Sequence, residues 1–299
     1  MRSLAHGIDT GQRGMRLRSL LFVPADRPER FAKAAACGAD AIIIDLEDSV
    51  APASKGRGRD AVREFLQSPR DALGETTVIV RVNPLDSGQT ASDLEAVLPN
   101  VPDGLMVPKA EGASSLTTLW EMMGGAQIPL LPIVTETPAA MFELGTYREV
   151  QMPLLGLTWG AEDLPAAMGA ATSRESDGRF TPPYELARSL MLFAAHAAGV
   201  PAIETVYPDI KDTDGLAAYA ARGRRDGFSG MMAIHPAQVA IINTAFEPTA
   251  EEIAHAKAIV AAFAAQPDAG ALQLDGKMID RPHLVQAQRL LERNAPVET

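Results

Sequence analysis

The chain repeats one pattern about eight times: a short apolar run, a polar turn, then an alanine-rich stretch with helical periodicity. The apolar runs are Ser19–Val23, Ala41–Leu46, Val78–Val82, Leu105–Val107, Leu130–Val134, Leu154–Trp159, Ile203–Val206 and Met231–Ile234. The second is apolar on both faces, as a parallel strand covered on both sides must be. The third reads the same way except for Arg81, whose charge needs acidic partners or ligand oxygens inside such a strand. Pro138 after Glu136-Thr137 and Pro236 after His235 both fit the first turn of a helix. Eight such units predict an α/β fold, a TIM (β/α)8 barrel over residues 16–247, with its active site at the carboxyl ends of the strands.

Two segments lie outside the barrel units. Residues 1–15 carry glycines and charges without an apolar core, and read as a flexible N-terminal extension rather than a secretory signal. Residues 248–299 read as a C-terminal helical extension, with helices at Thr249–Ala265 and Pro282–Arg293. Within the barrel, the connection from Leu164 to Pro183 is atypically long and leaves a strand end that carries site residues. That position suits a loop covering substrate.

Composition narrows the classes of partner. The net charge is −11, without a long run of either sign, which excludes the basic footprint that nucleic acid requires. Arg16, Arg18, Arg27, Arg30, Lys33, Lys55, Arg57 and Arg59 nevertheless gather in the first two units. They read either as solvated helix faces or as a local patch for a polyanionic small ligand. No apolar run approaches the ~18 residues of a membrane span. The single cysteine, Cys37, sits in an apolar stretch, reads as a packed hydrophobe and fits a reducing, cytoplasmic setting.

The ionisable residues cluster where a barrel does chemistry. Asp45, Glu47 and Asp48 follow the second run, Arg81 ends the third, and Lys109, Glu136 and Asp163 follow the next three. Glu136 and Asp163 come from neighbouring strands, and two carboxylates without nearby sulfur or imidazole suit Mg²⁺, with Mn²⁺ as the alternative ion. Zinc is disfavoured because His6, His196, His235, His255 and His283 show no ligand spacing. Two readings stay open for Asp45, Glu47 and Asp48: they hold metal-bound waters and orient Arg81, or they cap the next helix.

Seven motifs then stand in order: Arg18-Ser-Leu-Leu-Phe-Val-Pro24, Gly38-Ala-Asp-Ala-Ile-Ile-Ile-Asp-Leu-Glu-Asp48, Arg81-Val-Asn83, Glu136-Thr137-Pro138, Gly160-Ala-Glu-Asp-Leu164, Ile234-His-Pro-Ala-Gln238 and Gly276-Lys-Met-Ile-Asp280. Together they resemble the citrate lyase β-subunit-like family of CoA-ester lyases, within the HpcH/HpaI aldolase superfamily. The resemblance runs from about Arg18 to Leu291. It implies a trimeric barrel enzyme that uses Mg²⁺ to make or break a C–C bond beside a thioester, with coenzyme A as part of the substrate. By position it implies Glu136 and Asp163 as metal ligands, Arg81 and Glu136 as substrate-binding residues, and Asp280 as a catalytic acid delivered into a neighbouring subunit's site. Lys109 matches a lysine without an assigned role. Many relatives carry lysine at the position of Met231 and aspartate at that of Glu204. The first change implies a lost acyl-chain or CoA contact, the second a pocket of different size.

The expected reaction is cleavage or formation of malyl-, citramalyl- or citryl-CoA, with Arg81 stabilising the thioester enolate and Asp280 as general acid/base. Three alternatives remain: the β subunit of a multisubunit citrate lyase acting on a carrier-protein thioester, a pyruvate-type aldolase acting without CoA, or a non-catalytic acyl-CoA-binding barrel.

Overall fold

Eight parallel strands form the centre of the chain. A computed structural model describes residues 16–69 and 74–293, so the N-terminal extension expected at 1–15 lies outside the described residues. The strands are β1 (Ser19–Pro24), β2 (Ala41–Asp45), β3 (Thr77–Arg81), β4 (Gly104–Val107), β5 (Leu130–Pro132), β6 (Leu157–Thr158), β7 (Ala202–Glu204) and β8 (Gly230–Ala233). Their order is β5-β4-β3-β2-β1-β8-β7-β6, and parallel bridges Leu130↔Leu154 and Ile133↔Thr158 join the two ends into a barrel. The strands are shorter than the apolar runs in places, most of all at β6. There the backbone ladder with the preceding segment is reduced to those isolated bridges.

Around the strands lie α1 (Phe31–Ala35), α2 (Lys55–Leu66), α3 (Thr90–Val97), α4 (Ala113–Met122), α5 (Ala140–Glu143), α6 (Asp163–Met168), α7 (Pro182–Ala198), α8 (Thr213–Asp226) and α9 (Pro236–Phe246). Pro236 opens α9 as its position predicts. Pro138 does not open a helix: α5 starts at Ala140, and the Thr137 hydroxyl accepts the Ala140 N–H in its place.

Alternation along the strands builds two cores. Leu20, Ala41, Ile43, Ile79, Met106, Leu131, Ile133, Ile203 and Met232 point inward and fill the barrel. Their neighbours, among them Leu21, Ile42, Ile44, Val78, Val80 and Met231, pack outward against the helices. Cys37 is half-buried against this outer layer. The inward parity of Ala41 and Ile43 continues to Asp45, and that of Ile79 to Arg81. The register pairs Asp45 directly with Arg81. The same alternation that fills the barrel thus delivers charge to its carboxyl-end mouth.

The long connection after Asp163 is not a bare loop. Its first residues form α6, Gly169 caps that helix in the left-handed conformation, and an antiparallel bridge joins Arg174 to Phe180, with the Arg174 guanidinium stacked 4.0 Å from the Phe180 ring centre. Its own backbone pairing and stacking give it order that a count of loop residues does not show.

A second compact unit runs from Glu247. It contains α10 (Ala250–Ala265), the antiparallel hairpin β9 (Ala271–Leu274) and β10 (Lys277–Asp280), and α11 (Arg281–Arg293). Thr249 and Glu252 close a reciprocal capping box at the start of α10. Ala256, Ile259, Phe263, Ile279 and Ala287 form a small core of its own. Asp275 and Gly276 both adopt positive φ, 51° and 77°, the two-residue turn that an Asp-Gly pair favours between antiparallel strands.

Candidate active site

Arg81 anchors the mouth of the barrel. Its Nε donates to Asp45 Oδ1 at 2.6 Å and its Nη2 to Asp45 Oδ2 at 2.7 Å, a two-pronged pair between adjacent strands. Its Nη1 lies 2.8 Å from Glu47 Oε2, and the guanidinium carbon sits 4.9 Å from the centre of the Phe22 ring. Asp45 also accepts the backbone N–H groups of Glu47 and Ser49, at 2.8 and 3.0 Å, so it fixes both the arginine and the loop after β2. Burial raises the Asp45 carboxyl, but the Arg81 charge and these hydrogen bonds outweigh it and leave the group below its usual range. Burial opposes the Arg81 charge, but Asp45, Glu47 and Glu136 more than reverse this. Arg81 stays cationic.

Lys109 joins the other acids. Its backbone sits in the left-handed region, φ 50°, which a residue with a Cβ rarely adopts. In that conformation its N–H donates to Glu136 Oε2 at 2.6 Å. Its ammonium donates to Glu47 Oε1 at 2.6 Å and lies 3.2 Å from Asp163 Oδ1 and 3.9 Å from Asp48 Oδ2. One residue therefore touches both carboxylates of the expected metal pair, one through backbone and one through side chain. Sequence spacing alone gave no role to Lys109, because its placement depends on a backbone conformation that the residue type does not announce.

Glu136 is only 3% exposed. Burial, reinforced by the Asp163 charge, pushes its carboxyl up to about 8. Gly160, at the end of the β6 segment, makes room for it: a Cβ there would stand 2.8 Å from Glu136 Cγ and 2.9 Å from Oε1. Glu47 is raised as well, by burial, against the pull of Arg81 and Lys109. Asp48 is exposed and approaches the Lys109 ammonium at 3.9 Å. Two of the basic residues noted in the sequence are internal struts. Lys55 donates to the Leu46 and Glu47 carbonyls and to Asn83 Oδ1, and Arg59 pairs with buried Asp93 at 2.7 Å. Arg27, Arg30 and Arg57 remain exposed just after β1 and at the start of α2.

The arrangement presents carboxylate oxygens, a braced guanidinium and an ammonium at the mouth of a closed parallel barrel. The sequence that builds it matches a known family. The pattern of the HpcH/HpaI aldolase/citrate lyase family fits residues 18–236. The chain belongs to that family. The citrate lyase subunit beta-like protein of Mycobacterium tuberculosis is 38% identical over 273 residues, 91% of this chain and 94% of that protein. A (3S)-malyl-CoA thioesterase of Cereibacter sphaeroides is 33% identical over 282 residues, 92% of this chain and 94% of that one. The crystal structure of CitE from M. tuberculosis in complex with magnesium, acetoacetate and coenzyme A superposes with a TM-score of 0.80 at 36% identity, covering 94% of this chain and 98% of that one. Membership makes the chain a carbon–carbon lyase of the CoA-ester group.

Within this family frame, the two departures do not sit where the sequence suggests. Glu204 does not line the barrel interior: it points into the helix layer, fully buried, and accepts from Trp159 Nε1 at 2.6 Å, Arg188 Nε at 2.7 Å and the Tyr219 hydroxyl at 2.9 Å. Met231 is likewise buried between sheet and helices. The period-two alternation settles both, since Ile203 and Met232 are the inward residues of those strands. Asp280 ends β10 in the second unit, where it is paired with the ring of His283, a contact that holds its carboxyl below the usual range.

Proposed function

We propose that this lyase cleaves or forms the C–C bond of a malyl-, citramalyl- or citryl-type CoA thioester, in which one carbon bears both a hydroxyl and a carboxylate. The observation that carries the reading is the convergence of Glu136 and Asp163 on Lys109, beside an Arg81 braced by Asp45 and Glu47.

The donor set fits Mg²⁺. The Asp163 charge raises the cost of ionising Glu136, which a divalent cation would relieve, and both side chains offer hard oxygen. Among the described residues no group of three or more His, Cys, Asp or Glu forms a complete cage. Two carboxylates with the remaining positions left to water and substrate oxygens are what Mg²⁺ accepts. Glu136 and Asp163 would hold the ion, whose contribution is Lewis-acid polarisation of the substrate's oxygen functions. The M. tuberculosis structure with magnesium, acetoacetate and coenzyme A supports magnesium as the ion by similarity.

The chain's own groups supply the rest. Asp45 engages the Nε and Nη2 donors of Arg81 and Glu47 lies beside Nη1, which leaves N–H capacity on the guanidinium for a ligand oxygen. A fixed cation there stabilises the negative charge that develops on the thioester oxygen as the bond breaks, a contribution of about 3–4 kcal/mol for one such donor. Asp280, ionised at neutral pH beside His283, is the base that takes a proton from the acyl methyl group in condensation and returns it after cleavage. We assign it to the site of a neighbouring subunit in a homotrimer. Arg27, Arg30 and Arg57 lie exposed near the strand ends and suit the phosphates of a CoA carrier.

The test is a panel of malyl-, citramalyl- and citryl-CoA, and the corresponding carrier-protein thioesters, assayed with and without Mg²⁺. Release of a 2-oxo acid together with an intact acyl thioester is expected, and only with the metal. Release of free thiol without any 2-oxo acid would replace the lyase reading by thioester hydrolysis. Turnover confined to carrier-protein thioesters would assign the chain to a multisubunit citrate lyase.

A further inference from the structure

Lys109 does more than neutralise a corner of the site. Its ammonium stands among Glu47, Asp48 and Asp163, while its N–H is committed to Glu136. Asp45 is already satisfied by Arg81. Each acid at the mouth thus faces a cationic or N–H partner supplied by the protein itself. A divalent cation arriving alone between Glu136 and Asp163 meets an ammonium already there, and like charges in a half-buried site repel strongly. The left-handed backbone at Lys109 shows that this placement is held against a local conformational preference, a pattern characteristic of functional positions.

We infer that Lys109 is a resident counter-ion that makes metal binding depend on the substrate's own carboxylate. This rests on the assignment of Glu136 and Asp163 as metal ligands. The substrate brings negative charge that compensates the ammonium, so metal and substrate each tighten the binding of the other, as linkage requires. Lysine suits the task because its charge rides on a flexible four-carbon stem and can shift aside, whereas the planar Arg81 is clamped on two edges. The metal is thereby taken up chiefly as part of a loaded site.

The experiment measures Mn²⁺ affinity, by electron paramagnetic resonance of the free ion, in the full-length protein with and without pyruvate as a 2-oxo acid probe. Wild-type protein should bind Mn²⁺ weakly alone and at least tenfold tighter with pyruvate. Lys109→Met should bind Mn²⁺ alone at least tenfold tighter than wild type, with the effect of pyruvate reduced below threefold. Wild-type protein that binds Mn²⁺ equally with and without pyruvate overturns the inference without recourse to any variant. So does a folded Lys109→Met that binds Mn²⁺ no tighter than wild type. Glu136→Gln and Asp163→Asn separate the two levels of argument: undiminished Mn²⁺ binding in both would remove the metal-ligand assignment itself.

Discussion

At the scale of single residues, the site is governed by how much negative charge a small, dry volume can hold. Glu136 shows the balance most clearly. Burial and the Asp163 charge raise its carboxyl to about 8, against the help of the Lys109 N–H, so in the metal-free protein it is largely protonated at neutral pH. A metal ligand must be ionised, so if Glu136 ligates as proposed, binding Mg²⁺ would expel that proton. The sign follows: apparent Mg²⁺ affinity should rise with pH up to about 8, by as much as tenfold per unit, and level off above it. Calorimetry in buffers of different ionisation enthalpy should show close to one proton released per ion at pH 7 and none near pH 9. A flat affinity between pH 6 and 8 would mean that Glu136 is already ionised or does not ligate. Gly160→Ala tests the same group by sterics, since its new Cβ would press on Glu136 at 2.8 Å. We expect that variant to remain folded and to lose most of its Mg²⁺ affinity.

At the scale of elements, the buried cluster around Glu204 joins β7 to the segment before α6 and to α7 and α8. Arg188 and Glu204 are 3% and 0% exposed, and a second carboxylate, Asp226, takes another Arg188 nitrogen at 2.8 Å. Removing one member of such a pair leaves an uncompensated buried charge, at a cost of about 3–5 kcal/mol. Glu204→Ala should therefore lower the unfolding free energy by roughly that amount in chemical denaturation, whereas a loss below about 1 kcal/mol would mean that Asp226 alone satisfies Arg188. The contrast with Arg81 explains what could be read from the sequence. Asp45 and Arg81 were legible because they prolong the inward alternation of apolar strands, and a charge in that place has few uses. Glu204 occupies a similar strand end, but its direction depends on which residue of β7 faces inward, and three residues are too few to show it. Lys109 lay hidden behind a backbone conformation. The β9–β10 hairpin was missed although Leu274-Asp-Gly-Lys277 carries a hairpin signal, because its flanking strands are short and half-exposed and lack clean alternation.

At the scale of the whole molecule, the second unit raises the question of what it is for. A closed eight-stranded barrel needs no further element to bury its core, yet 53 residues follow Phe246 with a capping box, a hairpin and a core of their own. Within that unit, β10 buries Ile279 and leaves Asp280 at its end, against His283, with Met278 exposed two residues earlier. An exposed methionine beside a poised carboxylate is suited to resting on another surface. We assign that surface to the barrel of a neighbouring subunit, so that each site takes Glu136, Asp163 and Arg81 from one chain and Asp280 from the next. Asp280→Ala and Glu136→Ala proteins should then both be inactive alone. Mixed under conditions of subunit exchange, they should regain activity, because some interfaces pair an intact metal site with an intact Asp280. In a randomly mixed trimer with equal amounts of the two chains, a quarter of such interfaces join two intact partners, so recovery should approach about one quarter of the wild-type rate. Exchange is verified by mass spectrometry of differently tagged chains. Exchange without recovery would confine Asp280 to its own subunit's site or remove it from catalysis, and full activity in a monomeric form would dismiss the shared site altogether.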